Sequence, residues 1–545
     1  MPFSTLLLAG QGSAMISLFS GLYLAVFLPV VLLFYGIMPK NGKKYVLLAA
    51  GYVFFWLISG GLILYLLFST LSMHYFGLWL DRVQERMKAA VSAENDRENR
   101  KAVRAEYAVK QKRIVLFAVF LHIGALLLLK YSGFFVQNLD RLLTVFHSSI
   151  QIVPPVYLLP IGISFFTLQA LSYILDVYHG VIRADENLPR LALFLGFFPA
   201  IIEGPICRYS QTADKLWNAG PIRYENLTFG LQRILYGMMK KMLVADRLNA
   251  FVKQVFTNYP EYDGGIIAMA AVGYTVQLYM DFSGSMDAVI GTAQIFGIKM
   301  PENFQRPFFS TTISEFWKRW HISLGAWLKD YIFYPVSTSA TMKRLTKFGR
   351  KHFGNHYGPL LAGSVALFCV WILNGLWHGP AWHYIFFGLY HFTWILCGNL
   401  LEPLVFRING ALGINPHHFL YRGMQMFRTA VLVVIGELFF RAETLRGGLQ
   451  MFKVMITQFS VPTMEKLERL KVGIDRWDFM VVGIVLLIVL AISILNERGV
   501  SFRQILAERN VMVRWAVLDA VILSIVIFGA YGSGYAPVDP MYAKF

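Results

Sequence analysis

What most limits how this chain can fold is a series of uncharged apolar runs, each close to the length that crosses a bilayer. Leu18–Met38 contains no charged residue, and neither does Phe479–Leu495. A helix spans the hydrocarbon layer with about 20 mostly apolar residues, and in lipid every backbone N–H and C=O must be paired within the element itself. Ile114–Leu129, Leu360–Leu373 and Trp382–Leu401 are further uncharged runs, and Gly265–Phe282, Met426–Phe440 and Val513–Ala530 are apolar runs that each carry one or two charged residues. Composition agrees: 56% of residues are hydrophobic and 15% charged, where a soluble domain carries about 25% charged residues. The reading is an all-α polytopic membrane protein with about 11–13 membrane segments, some of them re-entrant.

No hydrophilic block is long enough to form a separate domain. Residues 15–545 therefore read as a single membrane domain, with 1–14 a weakly ordered extension. The first lysine is Lys40, so the start lacks the basic stretch of a cleaved signal peptide. The net charge of +18 sits in short loops between apolar runs, which marks cytoplasmic anchoring in a cell's inner membrane and not a nucleic-acid surface. Residues 81–113 mix ten Lys/Arg with six Asp/Glu and read as a solvated helix. Stretches 133–155 and 341–356 read as loops. Lys240-Lys241 interrupts the run Leu231–Val252, as a membrane boundary would, and Leu191–Ile202 is too short to span and reads as re-entrant. Cys207, Cys369 and Cys397 show no metal-ligand spacing.

Two stretches carry candidate chemistry. In 303–335, Ile313, Phe316, Trp317, Trp320, Leu324, Trp327, Leu328 and Tyr331 fall on one stripe at helical spacing. Glu315, Lys318, Arg319 and Lys329 occupy the opposite arc, and His321 lands at the boundary between the two. That pattern predicts a continuous interfacial helix, and its plainer reading is an anchor with an incidental histidine. The second stretch is Asn374-Gly375-Leu376-Trp377-His378-Gly379-Pro380, at the end of an apolar run. Proline disfavours helical geometry at the residue before it, so the helix must stop with His378 in its last turn. An ionisable group at membrane depth costs about 2.5–3.5 kcal/mol on insertion scales, which makes His378 a candidate general base; the plainer reading is a core histidine bonded to a carbonyl. His383 and His391 lie at no metal-pair spacing from it, and His352 and His356 have no acid nearby. No metal site is expected.

RWHISLGAWLKDYIFYP at 319–335 and NGLWHGPAWHYIFFGLYH at 374–391 resemble the paired histidine motifs of the membrane-bound O-acyltransferases. The likeness is to the bacterial branch that holds the alginate O-acetyltransferases and the teichoic acid D-alanyl transferases. LPIGISFFTLQALSYILDVYHG at 159–180, FFPAIIEGPICRYS at 197–210, YMDFSGSMDAVIG at 279–291, PENFQRPFF at 301–309 and FRAET at 440–444 extend it along the chain. The resemblance implies helices around a transmembrane tunnel, with His378 as the catalytic histidine and His321 as the second motif residue near the cytoplasmic mouth. It implies acyl transfer from a cytoplasmic thioester, acetyl-CoA or a phosphopantetheinyl carrier protein, with no tightly bound cofactor. The acceptor would be a hydroxyl of a cell-surface or secreted polysaccharide, with an extracytoplasmic esterase-like protein as partner. On that reading Asn374 orients His378 or donates to the oxyanion. Lys318, Arg319 and Lys329 attract the anionic donor, while Asp281 and Trp377 support the site. Lys329 stands where relatives usually carry arginine, which keeps the charge and loses bidentate geometry. Three other readings compete: D-alanyl transfer to teichoic acid, a proton-coupled transporter or flippase using Asp281, Asp287, Glu203, His122 and His378, and a non-catalytic scaffold.

Overall fold

The computed structural model describes residues 18–146, 150, 152, 153, 155 and 157–531; the expected extension at 1–14 lies outside them. Every regular element among the described residues is a helix, and the one strand-like pairing is a single antiparallel bridge between Phe304 and Trp320. Among the described residues, eight helices are long and apolar enough to cross a membrane, and Tyr23–Ile37 and Ile163–Tyr178 are shorter apolar helices. The protein is an all-α, multi-pass membrane protein. Its described residues pack as two compact units, one running to Leu231 and taking in Val289–Pro301, the other made of Gln232–Ala288 and residues 302–531.

In the first unit, Lys43–Ser59 ends at Gly60, whose φ of 54° turns the chain before Ile63–Ala93 begins. The charged stretch 81–113 is helical on either side of a break at 94–96, two helices where its pattern predicts one: Asp96 caps Arg97–Leu126 by accepting from the N–H groups of Glu98 and Asn99 at 3.1 and 3.0 Å. The expected loop at 133–155 is instead helical over Ser132–Val145. Its apolar residues recur at helical spacing, and proline-proline punctuation comes only at its far end. Ile163–Tyr178 is buried on nearly all sides. Its start needs Gly162, because φ is 76° and a Cβ there would stand 2.4 Å from the Ile201 carbonyl oxygen. Leu191 and every residue from Leu193, in the short helix Leu188–Leu195, through the turns to Glu203 are buried, as a broken segment must be.

Gly264–Ile295, most of which belongs to the second unit, has 67% of its most apolar stretch buried, against 6% for Val511–Phe528 in the same unit. The first is an interior element, whereas the second turns its apolar surface outward, toward lipid. Lys240 and Lys241 correct the expectation of a membrane boundary. Both are buried, Lys240 paired with Asp287, and Lys241 with Asp246 at 2.6 Å and Asp281 at 3.0 Å. Arg233 adds a 2.9 Å bond to Asp287 and a bidentate pair with Glu302. A five-residue π-helical turn, Lys241–Ala245, follows Lys240. The expected loop at 341–356 is also helical, part of Ala340–His378. That element breaks at Gly354 (φ 77°), and the two pieces approach so closely that a Cβ on Gly349 would lie 2.6 Å from the Gly358 carbonyl oxygen.

Candidate active site

His378 is the last residue of Ala340–His378 and is buried. Gly379 takes extended backbone immediately after it, and a Cβ there would meet the Tyr384 ring at 2.5 Å. The helix stops where the glycine-proline pair dictates, and the chain re-enters a helix at Trp382–Ala411. Those two helices touch backbone to backbone through glycines. A Cβ on Gly375 would be 2.3 Å from the Tyr384 carbonyl oxygen, and one on Gly388 would be 2.3 Å from that of Trp371. This contact fixes His378 among the rings of Trp377 (4.8 Å between centroids), Phe440 (4.9 Å) and Phe387 (6.0 Å). Asn374, one turn before His378, is buried, and its Oδ1 has no hydrogen-bond partner among the described residues.

His321 departs from its expected setting. The predicted continuous helix is two short ones, Ile313–Arg319 and Ile322–Leu328, followed by a π-helical turn, Lys329–Phe333. His321 sits at the break in a left-handed conformation (φ 47°, ψ 51°). The break turns its ring inward, and only 3% of the residue is exposed, not the half-wet edge that the helical wheel gives. Burial pushes the imidazole down to about 3, so it is neutral at physiological pH. Its ring stands edge-on to Phe282 at 4.8 Å and to Trp377 at 5.6 Å. Trp377 thus contacts both motif histidines, which lie 57 positions apart in the chain.

The remaining candidates divide into two groups. Lys318 and Lys329 are exposed, with the Lys329 ammonium 5.5 Å from the centre of the Tyr334 ring. Arg319 is committed within the protein to Glu315 at 2.9 Å and Glu497 at 3.2 Å. Asp281 is ion-paired with Lys241, and Asp287 with Arg233 and Lys240. His122 is bonded at both ring nitrogens, to the Ala118 carbonyl at 2.9 Å and to Ser72 Oγ at 3.1 Å. His352 and His356 contact the carbonyls of Phe348 and Asn399.

Residues outside the sequence-based set also shape the site. Phe387 and Phe440 wall His378. Asn303 contacts His321 through its side-chain amide. His391 is fully buried against Trp317, Trp371 and Phe387, with neither ring nitrogen bonded among the described residues, and Glu437 is 1% exposed. Glu437 was findable: it is an acid within the run Met426–Phe440, and ionisable groups in spans are functional candidates by default.

Known proteins bear on this geometry. Residues 181–349 match the model of MBOAT, the membrane-bound O-acyltransferase family; that window includes His321 and ends before His378. The chain is 32% identical over 442 residues to the probable alginate O-acetylase AlgI of Pseudomonas aeruginosa, covering 80% of this chain and 74% of that protein. It is 29% identical over 370 residues to the peptidoglycan O-acetyltransferase of Helicobacter pylori, covering 63% and 64%. It is 32% identical over 251 residues to the teichoic acid D-alanyltransferase of Bacillus subtilis, covering 44% and 59%. With two buried histidines joined through Trp377 in a multi-pass helical protein, and with these relatives, the chain belongs to the membrane-bound O-acyltransferase family and is a membrane O-acyltransferase.

Proposed function

We propose that the protein moves a short acyl group, acetyl, from a cytoplasmic thioester donor across the membrane toward hydroxyls of a cell-surface or secreted polysaccharide, working in the cytoplasmic membrane. The observation that carries the proposal is His378: a buried imidazole at a glycine-broken helix end, walled by aromatic rings. In this reading His378 takes the proton of the acceptor hydroxyl as that oxygen attacks the thioester carbonyl carbon. The new C–O bond forms, the C–S bond breaks, and His378 returns the proton to the thiolate sulfur. General base catalysis of this kind contributes about 10²–10⁴-fold. Asn374 Nδ2 and His321 are the hydrogen-bond donors for charge developing on the carbonyl oxygen. Lys318 and Lys329, both exposed, attract the anionic portion of coenzyme A or of a phosphopantetheinyl carrier.

Two relatives named for O-acetylation of alginate and peptidoglycan favour acetyl and a polysaccharide. D-Alanyl transfer to teichoic acid is the second reading, favoured by the Bacillus subtilis relative. An extracytoplasmic esterase-like protein is the proposed partner that passes the acyl group to the polymer. Mass spectrometry of surface polymers from cells with and without the protein separates the two readings. Loss of acetyl esters supports the first, loss of D-alanyl esters the second, and an unchanged ester content of both refutes the proposal.

A further inference from the structure

His321 is held by a residue eighteen positions earlier. Asn303 is completely buried, and the geometry around it leaves one orientation for its amide. Its side chain accepts from the Ser323 backbone N–H at 3.0 Å and from Ser323 Oγ at 2.9 Å. A backbone N–H only donates, so the amide atom facing Ser323 must be the oxygen. Nδ2 then faces Met286 Sδ and His321 Nδ1, each at 3.3 Å. Asn303 Oδ1 also lies 3.4 Å from His321 Nδ1. The two distances from Nδ1 are nearly equal, and satisfaction of the donors decides between them. Oδ1 already takes two hydrogens from Ser323 at shorter range. A proton on Nδ1 would set the amide N–H against another N–H, leaving only a weak thioether acceptor for Nδ2. Nδ1 is therefore the acceptor, and the proton of the neutral ring is on Nε2.

The backbone reinforces this grip. Left-handed geometry costs a non-glycine residue about 1–2 kcal/mol, and His321 is held in it by Ile322 N–H donating to the Asn303 carbonyl at 3.0 Å. Gln305 N–H donates to the Arg319 carbonyl at 2.9 Å, completing the bridge of Phe304 with Trp320. Asn303 thus sets both the backbone and the ring of His321.

We propose that Asn303 is a positioning residue that holds His321 as its Nε2–H tautomer, so that His321 serves as a neutral hydrogen-bond donor to the reacting carbonyl oxygen and not as a base. The donor role rests on the acyl-transfer reading above; the tautomer does not. Burial keeps the ring neutral at physiological pH, as that role needs.

The test is nitrogen-15 NMR of the full-length protein in micelles or bilayers with labelled histidine, the His321 signals being assigned by their loss in His321→Gln. The expected spectrum has a protonated Nε2 and a bare Nδ1, and a protonated Nδ1 in the wild type overturns the positioning claim whether or not any acyl transfer is measured. Asn303→Asp separates positioning from support. A carboxylate keeps both Ser323 bonds but turns the atom facing Nδ1 into an acceptor, so the proton should move to Nδ1. The turnover number should fall about 10²–10³-fold, the usual loss for one oxyanion donor, with KM for the thioester within about twofold. A variant in which the tautomer switches while turnover stays within about threefold of wild type overturns the donor role. One in which the tautomer does not switch overturns the positioning role.

Discussion

Asp287→Asn tests how the second unit is held together, and its cost follows from the partners left behind. Asp287 is buried between Arg233, whose Nε donates to it at 2.9 Å, and Lys240. Asparagine conserves the volume and removes only the charge, so no cavity term enters. Arg233 retains Glu302 through bonds of 2.7 and 2.5 Å. Lys240, only 4% exposed, is left with the neutral Ser283 hydroxyl at 3.0 Å. Removing one partner of a buried pair costs about 3–5 kcal/mol because the other charge stays desolvated. Since Arg233 keeps a partner, the expected loss is at the lower end, about 3 kcal/mol. Unfolding in micelles, followed by the fluorescence of the chain's 12 tryptophans, measures it. Adding Lys240→Met removes the stranded charge, and the double variant should recover at least about 1.5 kcal/mol of the single variant's loss. A single variant within about 1 kcal/mol of wild type, or a double variant no more stable than the single, refutes the reasoning.

Gly388→Ala drives a methyl to 2.3 Å from the Trp371 carbonyl oxygen. Backbone cannot yield there as a side chain can, so a loss of about 1–3 kcal/mol in unfolding assays is expected, with a larger proportional fall in acyl transfer because the helix ending at His378 is displaced. Gly436→Ala puts a methyl 2.6 Å from His391 Nε2; activity should fall while Gly363→Ala, with open space around its Cβ, leaves it unchanged. The pH dependence of stability reports His321. Its folded value of about 3 lies below the ordinary 6.5, so its contribution is full above about pH 6.5 and drains as pH falls toward 3. Between pH 7 and pH 5 that linkage amounts to about 2 kcal/mol, and wild type should lose that much more stability than His321→Gln over the same interval.

Much of the architecture is legible in the apolar runs, because the bilayer allows a helix little freedom of length. The stop at His378 is equally legible, since Gly379-Pro380 enforces it locally. The break at His321 is not. Nothing from Trp320 to Ile322 is a glycine or proline, and the stripe from Ile313 to Tyr331 keeps helical spacing across it. What opens the helix is pairing with Asn303–Gln305, a contact distant in the chain that periodicity does not register. Lys240 and Lys241 mislead for the same reason. Two adjacent lysines in an apolar run read as an exit to water, but their partners Asp287 and Asp281 are 47 and 40 positions on, and only Asp246, the other partner of Lys241, is near in the chain. The same pairs weigh against a proton relay through those acids, since each is held by a cation. At 341–356, high charge and two glycines imitate a loop, whereas the chain is helical on either side of the break at Gly354, and Gly349 comes into close approach with Gly358.

The central claim is that His378 performs the proton transfer in acyl transfer. The most direct measurement is transfer of a radiolabelled acetyl group from acetyl-CoA, or from an acetyl-thioester carrier, to a hydroxyl acceptor by the purified protein in proteoliposomes, comparing wild type with His378→Ala. Transfer by the variant should fall at least about 100-fold, with its unfolding midpoint near that of wild type. A folded His378→Ala protein that turns over at close to the wild-type rate would contradict it.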